Sequence, residues 1–251
     1  MRVIALINQK GGVGKSSTAY NLGGALAGAG KKVLLVDLDQ QTYLSKFLGL
    51  ARYGNNTINE VLLGEISAKD AIIHRGGKIW AIPSSHKLKD TEFRLFTEIG
   101  REFILKDAMA EVCGYDFVLL DCPPSLGLST LNALTYAKEM MVVLQPEPSS
   151  LEGVAQLIDT YKAIKNKMNP ELEITGVVCN MMERKVLHRE VLENIKTNLG
   201  DKVFNTVIPR RAAYTEATGF GKTIQEYRPK GPETAIMAQL AKELIKRGAK
   251  K

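Results

Sequence analysis

Cysteine is scarce: there are three in 251 residues, Cys113, Cys122 and Cys179, scattered and without a CxxC or Cys/His cluster. That excludes a disulfide framework and offers no zinc spacing, and it makes a reducing cytoplasm the expected compartment. The three histidines, His74, His86 and His188, also lack metal-ligand spacing and are expected at the surface. No apolar run approaches the roughly 20 residues of a membrane span. The apolar start Met1–Asn8 is much shorter than a signal peptide with its cleavage site. No Pro/Gly/Ser-rich linker or fixed-period repeat divides the chain. A single soluble domain over residues 1–251 is therefore expected, large enough to bury about 70–75% of its unfolded surface without covalent staples.

Positive charge is in modest excess and unevenly placed. Lysine and arginine number 34 against 27 acids, a net charge of +7. The segment Arg184–Lys230 holds ten of the basic residues against five acids. Such a segment is either a solvated basic face or a surface for a polyanion.

Several short apolar runs read as buried parallel strands: Val3–Asn8, Val33–Val36, Phe117–Leu120, Met140–Leu144, Ile174–Cys179 and Val203–Ile208. They do not alternate with polar residues, as expected when helices cover both faces of a sheet. Helical patterns lie between them at Lys15–Ala29, Ile99–Cys113, Ser129–Ala137, Leu151–Lys167, His188–Leu199 and Pro232–Arg247. The region Leu50–Lys89 reads as an embellishment with helical pieces at Ile58–Leu63 and Ala68–Ile73 and a strand at Ile79–Ile82. This alternation predicts an α/β fold: one doubly wound, mostly parallel sheet with helices on both faces. In such sheets ligands bind at the carboxyl ends of the strands.

The first strand runs into Asn8-Gln9-Lys10-Gly11-Gly12-Val13-Gly14-Lys15-Ser16-Ser17 and then a helix. Glycines let backbone N–H groups turn inward, and the helix start adds partial positive charge, so Gly11, Gly12, Val13, Gly14 and Ser17 read as a phosphate cradle. Lys15 would reach the β/γ-phosphates and the Ser16 hydroxyl would ligate Mg²⁺. The ordinary consensus has glycine where Gln9 stands. A second lysine, Lys10, occupies the loop's outer edge, from which it could approach a nucleotide held by a second subunit. Two further strands end in acids. Asp121 is the natural Mg²⁺ partner, directly or through water. Asp39, two residues beyond Asp37, is placed to orient an attacking water. Asp37 reads equally as a supporting or a catalytic group.

These residues carry a family resemblance. Lys10–Ser16 resembles the deviant Walker A motif of the ParA/MinD ATPases, Asp37–Gln41 their second motif, and Val118–Pro124 their Walker B region. Gln145-Pro146-Glu147, Leu151-Glu152-Gly153 and Ile208-Pro209-Arg210 are similar to the ParA/Soj branch, and the likeness extends over essentially the whole chain. It implies an ATP- and Mg²⁺-dependent homodimer with two nucleotides at its interface. In that likeness Lys10 contacts the partner's nucleotide, Glu147 reaches the partner's ribose, Asp39 is the hydrolytic acid, and Asn180 and Pro209 lie beside adenine. It further implies binding to double-stranded DNA without sequence preference, stimulation by a ParB-type partner, and a cytoplasmic, nucleoid-associated protein. Gln40 replaces the family's usual proline, and Ala213 stands where an arginine for DNA is common. The candidate DNA contacts are Lys185, Arg189, Lys196, Arg210, Arg211 and Lys222. The chain starts at its first strand, so the N-terminal DNA-reading extension of the plasmid branch is not expected. A MinD-like membrane-surface ATPase, an iron–sulfur reductase component, and an ATPase positioning another cargo over the nucleoid are the competing readings. Membrane binding is not expected, because the Pro232–Arg247 stripe lacks aromatics.

Overall fold

A computed structural model describes residues 1–50 and 56–248. Among the described residues seven strands form one sheet: β1 (Arg2–Ile7), β2 (Val33–Asp37), β3 (Ile73–Gly76), β4 (Ile79–Ile82), β5 (Phe117–Asp121), β6 (Glu139–Leu144) and β7 (Glu173–Cys179). Their order in space is β3-β4-β2-β5-β1-β6-β7. Every pairing is parallel except the antiparallel β3–β4 hairpin at one edge. The helices are α1 (Lys15–Gly28), α2 (Tyr43–Phe47), α3 (Ile58–Leu62), α4 (Leu88–Leu95), α5 (Ile104–Ala108), α6 (Leu128–Tyr136), α7 (Ser150–Lys167), α8 (Val186–Leu199), α9 (Ala212–Gly219), α10 (Ile224–Tyr227) and α11 (Pro232–Gly248).

The strands inside the sheet are apolar over most of their length because both of their faces are covered, whereas the edge strand β3, which carries His74 and Arg75, is only partly buried. Side chains alternate across a strand, and those of β1 divide accordingly. Val3, Ala5 and Ile7 join one core layer with residues of α3 to α8, while Ile4 and Leu6 join the other with α1, α2, α9, α10 and α11. Strands β2 and β5 divide the same way. This is the doubly wound α/β sheet that the sequence pattern predicts.

Three expected elements fail, two of them where side chains from elsewhere claim the backbone. The segment Val203–Ile208 is not a strand; Val203 makes only an isolated bridge to Val177. Its middle amides, Asn205 N and Thr206 N, donate to the carboxylate of Glu243 at 2.9 and 3.0 Å instead of to β7. The helix over Ile99–Cys113 is interrupted. Gly100 has φ +74°, a single 3-10 turn follows at Arg101–Phe103, and only Ile104–Ala108 is α-helical. Asn132 on α6 holds this segment by accepting from Leu105 N at 2.9 Å and donating to Arg101 O at 2.8 Å. Ala68–Ile73 is a turn leading into β3, an edge strand absent from the sequence pattern. His188 is also buried, at 4% exposure, with its Nδ1 accepting from Glu183 N.

Candidate functional site

The sheet reverses its winding between β1 and β6: the chain leaves β1 toward β2 on one side and β6 toward β7 on the other. A crevice at the carboxyl ends of the strands belongs at such a point. Here the loop after β1 lies, tied to β6 by Asn8, whose Nδ2 donates to Val143 O at 2.7 Å. Asn8 also accepts from Lys10 N at 2.9 Å through its side chain and from Lys15 Nζ at 3.2 Å through its carbonyl. One residue therefore fixes both ends of the loop. Gly14 has φ +86°, and a Cβ there would lie 2.3 Å from Asn180 Nδ2, which itself donates to Val13 O at 2.8 Å. Only glycine suits both the backbone and the close approach.

The loop's two lysines have opposite settings. Lys15 is buried, and burial pushes its ammonium below the usual lysine range while Asp121, Cys122 and Asp39 pull it back. Lys10 is exposed and pairs with Glu147 of its own chain.

The acids at the ends of β2 and β5 differ in how they are satisfied. Burial pushes Asp37 up to about 6, even though it accepts from Ser45 N, Ser45 Oγ and Asp39 N at 2.8, 2.6 and 3.0 Å. Asp121, paired in register with Asp37, is fully buried with both carboxylate oxygens lacking a hydrogen-bond partner. Burial first, then the Asp37 charge, raise Asp121 well above the usual carboxylate range, eased by the nearby Ser16 hydroxyl and Lys15. A buried acid with two unmet oxygens, beside a serine hydroxyl and a lysine, has the donor chemistry of a cation site. Asp39 is 6% exposed, and its Oδ1 accepts from Gln41 N at 2.9 Å.

A cavity of about 620 Å³ opens from this loop. Its walls include Gly11, Ser16 and Asp39 at one end and Asn180, Pro209 and Tyr214 at the other.

A family model described as an AAA domain matches residues 1–174. The chromosome-partitioning ATPase Soj of Treponema pallidum is 41% identical over 252 residues, spanning 98% of each chain. The chromosome partitioning protein ParA of Caulobacter vibrioides is 40% identical over 253 residues, spanning 98% of this chain and 95% of its own. The chain belongs to the ParA/Soj family. Among solved structures, cobyrinic acid a,c-diamide synthase from Mycobacterium smegmatis, with bound ATP analog and magnesium, aligns with a TM-score of 0.86. It is 32% identical over 99% of this chain and 96% of that one.

In this ParA/Soj family member, Gly11, Gly12, Gly14, Lys15, Ser16, Ser17, Asp39, Asn180, Pro209, Arg210 and Arg211 all face the one cavity. Val13 is buried beneath the loop, and Glu147 stands at its rim through Lys10. The basic candidates are dispersed. Lys185 and Arg210 share Glu183 at 2.8 and 3.0 Å. Arg189 and Lys222 are exposed. Lys196 pairs with Glu193 and lines a second cavity with Glu139 and Thr175, residues at the amino ends of β6 and β7 and so at the opposite end of the sheet. Asn8, Ser45, Tyr43, Phe47 and Tyr214 also shape this site, and no motif in the sequence marks them as site residues. For Asn8 a signal existed, an amide directly after a buried strand. The cavity residues of α2 and α9 had none, since neither short helix shows in the pattern.

Proposed function

We propose that this protein is a Mg²⁺-dependent ATPase of the partitioning type. Two copies close on ATP, and the closed pair holds double-stranded DNA without sequence preference. A ParB-type partner stimulates hydrolysis and release, in the service of chromosome or plasmid partitioning. The reading is carried by the two lysines of one loop, Lys15 buried toward Asp121 and Asp39 and Lys10 exposed at the outer edge.

The residues fit ATP and Mg²⁺. Asp121 offers two unmet oxygens beside Ser16, and the cavity runs from the phosphate loop past Asn180 to Pro209. Ser16 and Asp121 would hold Mg²⁺, which when bound supplies positive charge against the phosphate oxygens. Lys15 and the loop amides add to that charge. Asp39, set by the amides around it, orients the attacking water. Lys10 must leave Glu147 to reach a second subunit's nucleotide. A polyphosphate offers several negative charges against the single charge of Glu147, so the exchange favours the closed pair. Glu147, once released, is free to reach across to the partner's ribose.

Closing two copies doubles the basic surface. Log affinity for duplex DNA falls against log salt with a slope of about −0.9 per phosphate contacted, so doubling the contacts converts nucleotide state into DNA affinity. Lys185, Arg189, Lys196, Arg210, Arg211 and Lys222 are the proposed contacts. A MinD-like membrane surface is less well supported. The apolar stripe of α11 (Met237, Leu240, Ala241, Leu244) is buried in the core layer that α1 shares, and no described helix is long and apolar enough to cross a membrane. The same machinery could position a different cargo over the nucleoid.

The test is binding to non-specific duplex DNA with ATP, ADP or no nucleotide. Binding only with ATP, lost in Lys10→Ala and kept in Asp39→Ala, is the expected result. ATP binding without DNA binding in any state would overturn the DNA half and favour the membrane or protein-scaffold reading.

A further inference from the structure

The turn that carries Asp39 is held from outside by a residue that the phosphate site does not touch. Asp39 O accepts from Thr42 N at 2.9 Å, so Asp39–Thr42 is a β-turn with Gln40 and Gln41 in the middle. The Asp39 carboxylate closes back on this turn by accepting from Gln41 N at 2.9 Å. On the other side His86 Nδ1 lies 3.0 Å from the carbonyl oxygen of Gln40. A carbonyl only accepts, so Nδ1 carries the hydrogen and donates.

The Gln40 carbonyl and the Gln41 N–H belong to one peptide unit, which is planar and rigid. His86 grips one edge of that plane, and the other edge grips the Asp39 carboxylate. Rotation of the plane would swing the Gln41 N–H away from Asp39. The histidine is itself on a fixed post between β4 and α4. Ser84 N donates to Ser45 Oγ at 2.8 Å, Asn59 Nδ2 donates to Ser85 Oγ at 3.1 Å, and Leu88 N donates to Ser85 O at 3.1 Å. Ser45 in turn holds Asp37, which accepts from Asp39 N. The carboxylate turn is thus braced on its inner side by Asp37 and on its outer side by His86. Gln40 and Gln41 are exposed, and no other side chain holds the Gln40 carbonyl among the described contacts.

We propose that His86 is a positioning residue for ATP hydrolysis: through the Gln40–Gln41 peptide plane it fixes the direction of the Asp39 carboxylate. The proposal rests on the hydrolytic reading of Asp39. It adds a residue outside the nucleotide cavity, on the connection after β4.

The test is steady-state ATP turnover of the full chain with saturating DNA, for wild type, His86→Ala, His86→Asn and Asp39→Ala, with fluorescent-ATP affinity and melting temperature measured alongside. His86 is exposed, so its replacement leaves the fold intact. Losing one hydrogen bond of this kind is expected to lower kcat about threefold to tenfold. KM and ATP affinity should not move with it. His86→Asn, whose amide can donate from near the Nδ1 position, should recover most of the loss. Wild-type kcat in His86→Ala, with Asp39→Ala inactive, would overturn the role of His86 alone. So would a loss in which KM moves equally and His86→Asn brings no recovery, because that describes general damage. Wild-type turnover in Asp39→Ala would instead overturn the hydrolytic reading on which the proposal stands.

Discussion

At residue 14 the chain can accept only a hydrogen as side chain. Its φ of +86° costs an L-residue on the order of 1–2 kcal/mol, and the space is already taken by the Asn180 amide. Gly14→Ala is therefore expected to lower ATP affinity at least about tenfold, the equivalent of 1.4 kcal/mol, with a drop in melting temperature. Titration with a fluorescent nucleotide would check this, and unchanged affinity would contradict the reading of the loop. The neighbouring acids follow a different logic. Asp37 has three donors and still sits near 6, because burial outweighs them. Asp121 has no donor of its own in hydrogen-bond geometry and is raised well above the usual carboxylate range. The sequence marked both as strand-end acids. Which of the two would be satisfied by protein and which left open depended on Ser45, a residue eight positions from Asp37 with no motif of its own.

At the scale of elements, one carboxylate decides the course of the chain between α8 and α9. Glu243 on α11 accepts from Asn205 N, Thr206 N and Thr206 Oγ1 and pairs with Arg247 at 3.1 Å. Burial alone would push its carboxyl up, but the two amides, Arg247 and the Thr206 hydroxyl outweigh it and hold it below the usual range. A depressed folded value means that the unfolded state binds the proton more readily. The stability Glu243 contributes is present above the ordinary glutamate value of about 4.3 and is lost as pH falls through its lower folded value. Glu243→Gln should cost about 1–3 kcal/mol at neutral pH, and the gap to wild type should narrow in acid. Urea melts at a series of pH values would show it. A gap that does not change with pH would mean that Glu243 contributes through packing and not through its charge. The same contacts explain why Val203–Ile208 does not extend as a strand despite an apolar, β-branched sequence: Phe204 N and Ile208 N donate to β7, but the two amides of Asn205 and Thr206 between them are spent on Glu243 of α11, far away in the chain.

At the scale of the whole molecule, the sheet order brings the ends of β1, β2, β5 and β7 to one crevice, and the proposed nucleotide switch acts through two such molecules. If closure doubles the DNA contacts, the slope of log affinity against log salt with ATP should be about twice that with ADP. Anisotropy with a fluorescent duplex across a salt series, beginning low enough to register the ADP state, would measure both slopes. Equal slopes would mean that nucleotide does not act by doubling the contact surface. Lys196 offers a separate check on geometry. It lies at the opposite end of the sheet from Arg210 and Arg211, so the two groups do not form one local patch.

The sequence by itself determined the glycine-rich loop after β1, the acids at the strand ends, the layered α/β plan and the family. Each of these is local: a strand's apolar run, a glycine turn and a helix start are contiguous in the chain, so their chemistry is written in adjacent letters. Tertiary structure alone decided that Asn8 clamps both lysines' loop to β6 and that Lys10 rests on Glu147. It also decided that Asn132 breaks a predicted helix, Glu243 unmakes a predicted strand, and His86 braces the turn of Asp39. In every one of these cases a side chain from one element satisfies a backbone or charged group of another. Such pairings follow from the order of strands in the sheet, and spacing along the chain does not record them.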